Sequence, residues 1–199
     1  MELNLILPVP TSINKLYINE YQYHRNPVTK KAERVPTGRR ILSKEGRTVK
    51  AQIQGRARVQ LLEQPHWDYE WTKENFVYQD AVIYFARRGS DDNNIYKLLN
   101  DSLEGIVYDN DSRVLVRTQR IVYDSTNPRI EVSIKPVEFV GIFENREIYE
   151  EFSAKCTGCS RYRNGGCSIL KDSIAGTVRE EIGSIHNPIC ESFKEKAAK

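Results

Sequence analysis

The chain has 199 residues, of which 39% are hydrophobic and 29% charged, and its 30 Lys and Arg nearly balance its 27 Asp and Glu. With 11 Tyr, 6 Phe and 2 Trp it has enough apolar surface for a core, which excludes a disordered chain. No apolar run approaches the ~20 residues that span a bilayer, and the N-terminal stretch lacks the basic start of a signal peptide. We therefore expect a cytoplasmic protein without membrane association.

Charge is unevenly distributed along the chain. Residues 1–60 hold 12 basic and 4 acidic residues, residues 61–140 hold 9 and 14, and residues 141–199 hold 9 of each. A basic first third beside an acidic middle fits a protein with one surface for phosphates and a set of carboxylates for a metal. Ordinary solvated faces explain the same counts, so charge alone does not decide between them.

The first part of the chain predicts a strand, a hairpin and a helix. Residues 2–9 alternate imperfectly between apolar and polar and end at prolines, which predicts a strand. Residues 17–42 are basic and rich in Tyr, with Pro and Gly, and predict a long exposed hairpin or loop. Ser43 is a suitable N-cap for a helix over residues 44–63. The candidate buried positions of that helix are Val49, Ile53 and Leu61.

The middle of the chain predicts a strand followed by a helix. Residues 76–86 are rich in β-branched and aromatic side chains and predict a central strand. A helix is expected over residues 93–104, ending near Gly105, because glycine commonly follows the last turn of a helix. Residues 106–108 then predict a short strand.

The last part of the chain predicts two strands and two helices. Residues 114–123 and 130–134 are expected to be paired strands, joined by a turn at residues 125–128. Residues 143–155 have the composition of a helix that links the core to the C-terminal part. A further helix is predicted over residues 168–182.

The predicted helix of residues 93–104 has two distinct faces. Its polar face carries Asn94, Lys97, Asp101 and Glu104. Its apolar face, expected to lie on the core, consists of Ile95, Leu98, Leu99 and Leu103.

Acidic clusters lie on both sides of this helix. Asp91 and Asp92 precede it, and Asp109-Asn110-Asp111 follows. If the clusters converge, their oxygen ligands suit Mg²⁺ or Mn²⁺, and Lys97 would stabilise charge on a phosphate. The alternative is that the first cluster only caps the helix and the second is a solvated turn.

Four stretches of the chain match motifs of one known family. They are Pro8-Val9-Pro10-Thr11-Ser12-Ile13-Asn14; Leu42-Ser43-Lys44-Glu45-Gly46; the set Asp91, Asn93, Asn94, Lys97, Asp101 and Leu103; and Asp109-Asn110-Asp111. In this order, over about residues 3–136, the chain resembles the RusA family of Holliday-junction resolvases. These are small dimeric endonucleases of bacteria and their phages.

The resemblance implies an α/β (α+β) core, a mixed sheet packed with helices, over residues 1–140. It implies a crossover junction endodeoxyribonuclease that acts as a homodimer and hydrolyses phosphodiesters with a divalent metal. Carried over by motif, the catalytic residues are Asp91, Lys97 and Asp111, together with position 93. That position departs from the family pattern because it holds Asn93, which ligates through a neutral carbonyl oxygen.

The expected metal ligands follow from this departure. Asp92, the neighbouring carboxylate, would compensate for the missing charge at position 93. The expected Mg²⁺ (or Mn²⁺) ligands are Asp91, Asp92, Asn93, Asp101 and Asp111.

The C-terminal part, residues 141–199, contains every cysteine of the chain. The cysteines are Cys156, Cys159, Cys167 and Cys190. A C-x2-C pair plus two more thiols in a reducing compartment predicts a small four-cysteine module that binds Zn²⁺ tetrahedrally. His186 is a possible substitute ligand, and an iron–sulfur cluster or unliganded thiols remain open.

We expect branched double-stranded DNA, such as a four-way junction, as the partner. The expected DNA-binding residues are Asn14, Lys15, Arg39, Arg40, Lys44, Arg47, Lys50, Arg87 and Arg88. The leading hypothesis is a Mg²⁺-dependent, structure-selective endonuclease of recombination and repair. One alternative is a non-catalytic DNA-binding relative whose metal site is degraded at Asn93. Another is a zinc-stabilised protein-interaction adaptor whose acidic face is merely solvated.

Overall fold

A computed structural model describes residues 1–196 of the chain. The chain divides into two compact units, the first ending at Pro136 and the second beginning at Val137. Among the helices of the described residues, none combines the length and the apolar character needed to span a bilayer.

Among the described residues, the first unit contains the six strands and three helices, and the second unit contains two further helices. In chain order they are β1 (Leu3–Leu7), α1 (Ile13–Leu16), β2 (Tyr17–Arg25), β3 (Ala32–Leu42), α2 (Lys44–Leu62), β4 (Val77–Phe85), α3 (Asn93–Leu103), β5 (Val114–Tyr123), β6 (Arg129–Pro136), α4 (Arg146–Cys156) and α5 (Ser168–Ile174). Short 3-10 turns occupy Glu70–Lys73 and Asp111–Arg113.

A four-stranded mixed sheet forms the base of the first unit, in the order β1-β6-β4-β5. β4 pairs antiparallel with β6 and parallel with β5. Buried and partly exposed residues alternate strictly along β4, as expected of a strand with one face on a core. The prediction of a central strand over residues 76–86 is confirmed, and so is the predicted α+β fold with a mixed sheet.

Helices α2 and α3 cover one face of the sheet. Their apolar residues share a single core with alternate residues of the strands. The fully buried leucines and isoleucines include Leu3, Leu7, Ile53, Ile83, Leu99, Leu103, Ile130 and Ile134. Burying one such side chain contributes about 1.5–3 kcal/mol, so this layer is the main source of the unit's stability.

Helix α2 begins where the sequence predicts it. The Ser43 hydroxyl accepts a hydrogen bond from the Gly46 amide at 3.0 Å, which caps the helix. Gly46 packs so closely on α1 that a Cβ there would lie 2.9 Å from Cδ1 of Leu16. Of the predicted core positions, Ile53 is fully buried, while Val49 and Leu61 are partly buried against the core.

The predicted hairpin over residues 17–42 is confirmed as the two-stranded antiparallel sheet of β2 and β3. Nearly all of its residues are exposed. The register of this pairing shifts between Asn19 and Tyr21, opposite Gly38. Gly38 has a φ of +78°, which lies in the left-handed region that glycine favours.

The predicted pairing of residues 114–123 with residues 130–134 is wrong. β5 and β6 lie on opposite sides of β4 and do not pair with each other. The turn between them crosses the end of β4, where the Asp124 amide donates to the Phe85 carbonyl at 2.8 Å. Because every second residue of β4 is buried in the core, its backbone groups need a partner strand on each edge.

Two other sequence predictions are also wrong. Residues 106–108 form a tight turn and not a strand: Gly105, at φ +72°, donates its amide to the Tyr108 carbonyl at 2.8 Å. The helix predicted over residues 168–182 ends at Ile174, because Gly176 adopts φ +86° and terminates it.

The second unit packs α4 and α5 around a small core. That core comprises Phe143, Phe152, Cys156, Ile169, Leu170 and Ile182. The helix predicted over residues 143–155 is confirmed as α4, which begins after Asn145, whose side chain accepts from the Ile148 amide at 2.9 Å. Gly141 has φ +57°, and a Cβ there would lie 2.0 Å from the Ser173 carbonyl oxygen, so this contact requires glycine.

Candidate active site

Helix α3 presents the two faces predicted from the sequence. Its apolar residues Ile95, Leu98, Leu99 and Leu103 are buried. The Lys97 and Asp101 side chains keep 49% and 24% of their surface exposed. The helix therefore carries charged groups at the surface of a packed core.

Lys97 and Asp101 form an ion pair one helical turn apart. The Lys97 Nζ donates to Oδ1 of Asp101 at 2.7 Å. This hydrogen bond is the main cause that raises the pKa of Lys97, and the charges of Asp101, Asp111 and Tyr17 act in the same direction. Lys97 is consequently a cation at neutral pH, suited to binding a phosphate and unsuited to accepting a proton.

Asp111 approaches the same lysine from a different element. It begins the 3-10 turn Asp111–Arg113, which Asn110 caps by accepting from the Ser112 amide at 2.9 Å. Its charge acts on Lys97. Asp101 thus contacts Lys97 directly, whereas Asp111 acts on Lys97 through its charge.

The side chains of Asp91 and Asp92, which precede α3, bind to different parts of the fold. Asp91 accepts from the Asn93 amide at 3.0 Å and from Nδ2 of Asn94 at 2.7 Å, so it is held against the start of the helix. Asp92 is directed towards β5, where its Oδ2 accepts from the Thr118 hydroxyl at 2.6 Å. Asp91 and Asp92 therefore have different partners despite being adjacent.

The carboxylates are not gathered into a cage. Throughout residues 1–196, no group of three or more His, Cys, Asp or Glu side chains is arranged to hold a metal ion. The donors near α3 are nevertheless the oxygen ligands that Mg²⁺ prefers. This ion is commonly held by one or two carboxylates, with water and substrate phosphates completing its shell. The residues present fit Mg²⁺ in that manner.

A buried polar group lies beneath the site and was missed by the sequence analysis. Gln79, fully buried in β4, donates from Nε2 to Oδ1 of Asn100 on α3 at 2.9 Å. Tyr108 donates its hydroxyl to Oε1 of Gln79 at 3.4 Å. These bonds fix α3 and the turn before Asp111 to the central strand. A polar residue at a buried position of an alternating strand was the only sequence signal.

The predicted DNA-binding residues lie on several elements of the first unit. Those on α1 and the start of α2 are near one another, because the Ser43 amide donates to the Leu16 carbonyl at 2.8 Å. Helix α1 also contacts α3. Arg88 lies over the ring of Tyr123 at 5.8 Å, shortly before Asp91. Of the predicted DNA-binding residues, only Lys50 is partly buried. The exposed ones are Asn14, Lys15, Arg39, Arg40, Lys44, Arg47, Arg87 and Arg88.

The four cysteines lie in the second unit as free thiols. Cys156 and Cys159 are buried, and Cys167 and Cys190 are partly buried. His186, considered as a substitute ligand, is exposed, and its Nδ1 lies 2.6 Å from Oε1 of Glu144.

A lysine paired with a carboxylate, on a helix that contacts the basic helix α1, suits a protein that binds phosphates. Residues 6–135 match the model of the family described as endodeoxyribonuclease RusA. The chain therefore belongs to the RusA family, whose nucleases act on branched DNA. The chain has no match among curated proteins. The family match ends one residue before the first unit does, so it excludes every cysteine.

Proposed function

We propose that this protein is a Mg²⁺-dependent, structure-selective endonuclease that cleaves Holliday junctions or other branched DNA in recombination and repair. The observation that carries the proposal is the Lys97 cation, paired with Asp101 at 2.7 Å and acted on by the charge of Asp111, on a RusA-family fold. In solution we expect a homodimer in the cytoplasm, where four free thiols are stable.

Asp91 and Asp111 are the proposed principal Mg²⁺ ligands, with Asn93 or Asp92 and Asp101 as further oxygen donors. When bound, the metal would supply positive charge and an activated water at the scissile phosphate. The amides that Asp91 accepts from hold its carboxylate against the start of α3. This fixes its orientation before substrate arrives.

Lys97 is the proposed phosphate-stabilising residue. Its raised pKa keeps it charged, and the 2.7 Å contact to Asp101 limits where the ammonium group can point. A preorganised cation stabilises the negative charge that develops on the phosphate oxygens in the transition state. Asp101 is then a positioning residue for Lys97 as well as a proposed ligand.

The exposed basic residues of α1, β3 and α2 are the proposed DNA-binding surface. Lysines and arginines that contact phosphates release counterions, so affinity for DNA falls steeply as salt rises. The nearness of this surface to α3 would direct a bound strand towards Lys97.

The proposal is tested with synthetic four-way junctions. Purified protein with Mg²⁺ should nick opposing strands symmetrically, and Asp111→Asn should abolish cleavage while retaining DNA binding in a gel shift. Lack of cleavage by the unmodified chain with either Mg²⁺ or Mn²⁺ would exclude the enzyme. Sedimentation of the same sample tests the homodimer.

Asn93 favours a second candidate, a relative that binds branched DNA without cutting it. A neutral amide at this position leaves the acidic set one charge short of the family pattern. This candidate predicts salt-dependent junction binding without products, and gain of cleavage in Asn93→Asp. Equal cleavage by the unmodified chain and Asn93→Asp would exclude it.

A further inference from the structure

The cysteines of the second unit come from four separate positions of its fold. Cys156 ends α4, Cys159 lies in the turn that follows, and Cys167 occupies the N-cap position of α5. Cys190 pairs with Ile182 in an isolated antiparallel bridge. The described fold therefore brings together thiols that are up to 34 residues apart in sequence.

Three of the four cysteines share one apolar core. Cys156, Cys167 and Cys190 all pack in or against the same apolar core. Burial, together with the charges of Cys167, Cys190 and Cys159, raises the pKa of Cys156 to about 11. One thiol group thus interacts electrostatically with the other three.

Backbone amides point at the sulfurs. The Lys194 amide donates to Sγ of Cys159 at 3.4 Å, and the Leu170 amide donates to Sγ of Cys167 at 3.4 Å. Burial acts to raise the pKa of Cys159, but backbone amides, including those of Arg161 and Tyr162, lower it overall. Amide donors stabilise a thiolate, and donors of this kind typically orient and tune the ligands of a metal.

The chain closes around these sulfurs by backbone pairing. The Ser160 amide donates to the Lys194 carbonyl at 2.7 Å, and the Lys196 amide donates to the Gly158 carbonyl at 2.9 Å. Cys159 itself forms an antiparallel bridge with Glu195. These contacts hold the C-terminal segment against the C-x2-C pair.

Two physical arguments favour a bound metal ion in the second unit. Ionised thiolates in an apolar core would repel one another, so a buried thiol such as Cys156 stays protonated by itself, whereas a divalent cation removes that repulsion and stabilises the thiolate form. The unit also has few core residues, and units of this size commonly need a metal or disulfides for stability. The described cysteines form no disulfide, so they are available as metal ligands.

We infer that Cys156, Cys159, Cys167 and Cys190 bind one structural Zn²⁺ that holds the second unit together. The thiols as described are not arranged as a metal-binding group, so binding requires their side chains to rotate towards a common point. Each ligating thiol releases its proton to solvent, so binding weakens as pH falls.

The test is metal analysis of the full chain purified under reducing conditions. We expect about one zinc per chain, which is the stoichiometry of a single four-cysteine site. After exchange of the zinc for Co²⁺, we expect the strong visible absorption of tetrahedral cobalt thiolate. Cys159→Ser and Cys190→Ser should each lose most of the zinc. His186→Ala is the matched control and should retain it, because the structure pairs His186 with Glu144 and not with the cysteines.

Other outcomes overturn the proposal. Iron with a brown colour would assign a cluster, and a metal-free chain with four freely titrating thiols would assign none. Loss of zinc in His186→Ala would show that His186 is a ligand in place of one of the four cysteines. Because zinc content is measured without DNA, a failure here does not depend on whether the protein cleaves junctions.

Discussion

The two units differ in how their candidate functional residues relate to their cores. In the first unit, the charged residues of α3 lie outside an apolar core, and 49% of the Lys97 side chain is exposed. In the second unit, Cys156 is only 7% exposed and belongs to the core itself. Function and folding are therefore separable in the first unit, whereas in the second any change to a proposed ligand also changes the core.

The largest expected effect is that of removing metal from the second unit. Structural zinc contributes about 10–16 kcal/mol of apparent binding energy in small zinc domains, so a strong chelator should unfold residues 137–196. Amide hydrogen exchange, measured without DNA or Mg²⁺, should show lost protection there while β1, β4 and β6 remain protected. An equal loss of amide protection in both units, or no loss in either, would contradict the proposal that only the second unit depends on a metal.

The next effect is on activity alone. Lys97→Ala should lower the rate of junction cleavage by about 10²–10³-fold, because it deletes a cation at the developing negative charge. Thermal unfolding should change little, since the side chain is half exposed. Lys135→Ala is the matched control: this lysine is 44% exposed, also pairs with one aspartate, and lies on the face of the sheet away from α3. Equal losses in both variants would contradict the role of Lys97.

The smallest effect concerns an ion-pair network on that other face of the sheet. Asp80 accepts from Nε of Arg117 at 2.6 Å and from Nε2 of Gln119 at 2.8 Å, and it lies 3.2 Å from Nζ of Lys135. The hydrogen bond from Arg117 is the main cause that lowers the pKa of Asp80. Its partners are partly exposed and therefore screened, so Asp80→Asn should cost about 1–2 kcal/mol near neutral pH.

The pH dependence of this contribution has a definite sign. Because the pKa of Asp80 is lower in the folded state, its stabilisation is complete above the unfolded value of about 3.9 and disappears as pH falls through the folded value. The free energies of urea unfolding of the unmodified chain and of Asp80→Asn should therefore differ near neutral pH and become equal in strong acid. A constant difference at every pH would assign the effect to packing.

Sequence patterns predicted the elements that depend on local periodicity. The alternation of β4 and the two faces of α3 are properties of consecutive residues, and both are confirmed. The order of the strands is not local, because nothing in residues 114–134 indicates that β4 separates β5 from β6.

In the candidate site too, local contacts could be predicted from the sequence and long-range contacts could not. The motif on α3 identified Lys97 and Asp101, whose contact spans a single helical turn. The contacts of Gln79 with Asn100 and Tyr108 join residues 21 and 29 positions apart, so only the tertiary structure reveals them. The different directions of Asp91 and Asp92 likewise depend on where β5 lies relative to the start of α3.

The pairing of β1 with β6 has a consequence for the order of events during synthesis. Leu3 lies opposite Ile134, so the sheet cannot be completed until the strand ending at Pro136 has left the ribosome. Cys156 follows about 20 residues later, a delay of a few seconds at the usual ~5–20 residues per second. The strands of the first unit can therefore pair before the cysteines emerge, which shortens the time during which reactive thiols and unpaired strand edges are exposed together.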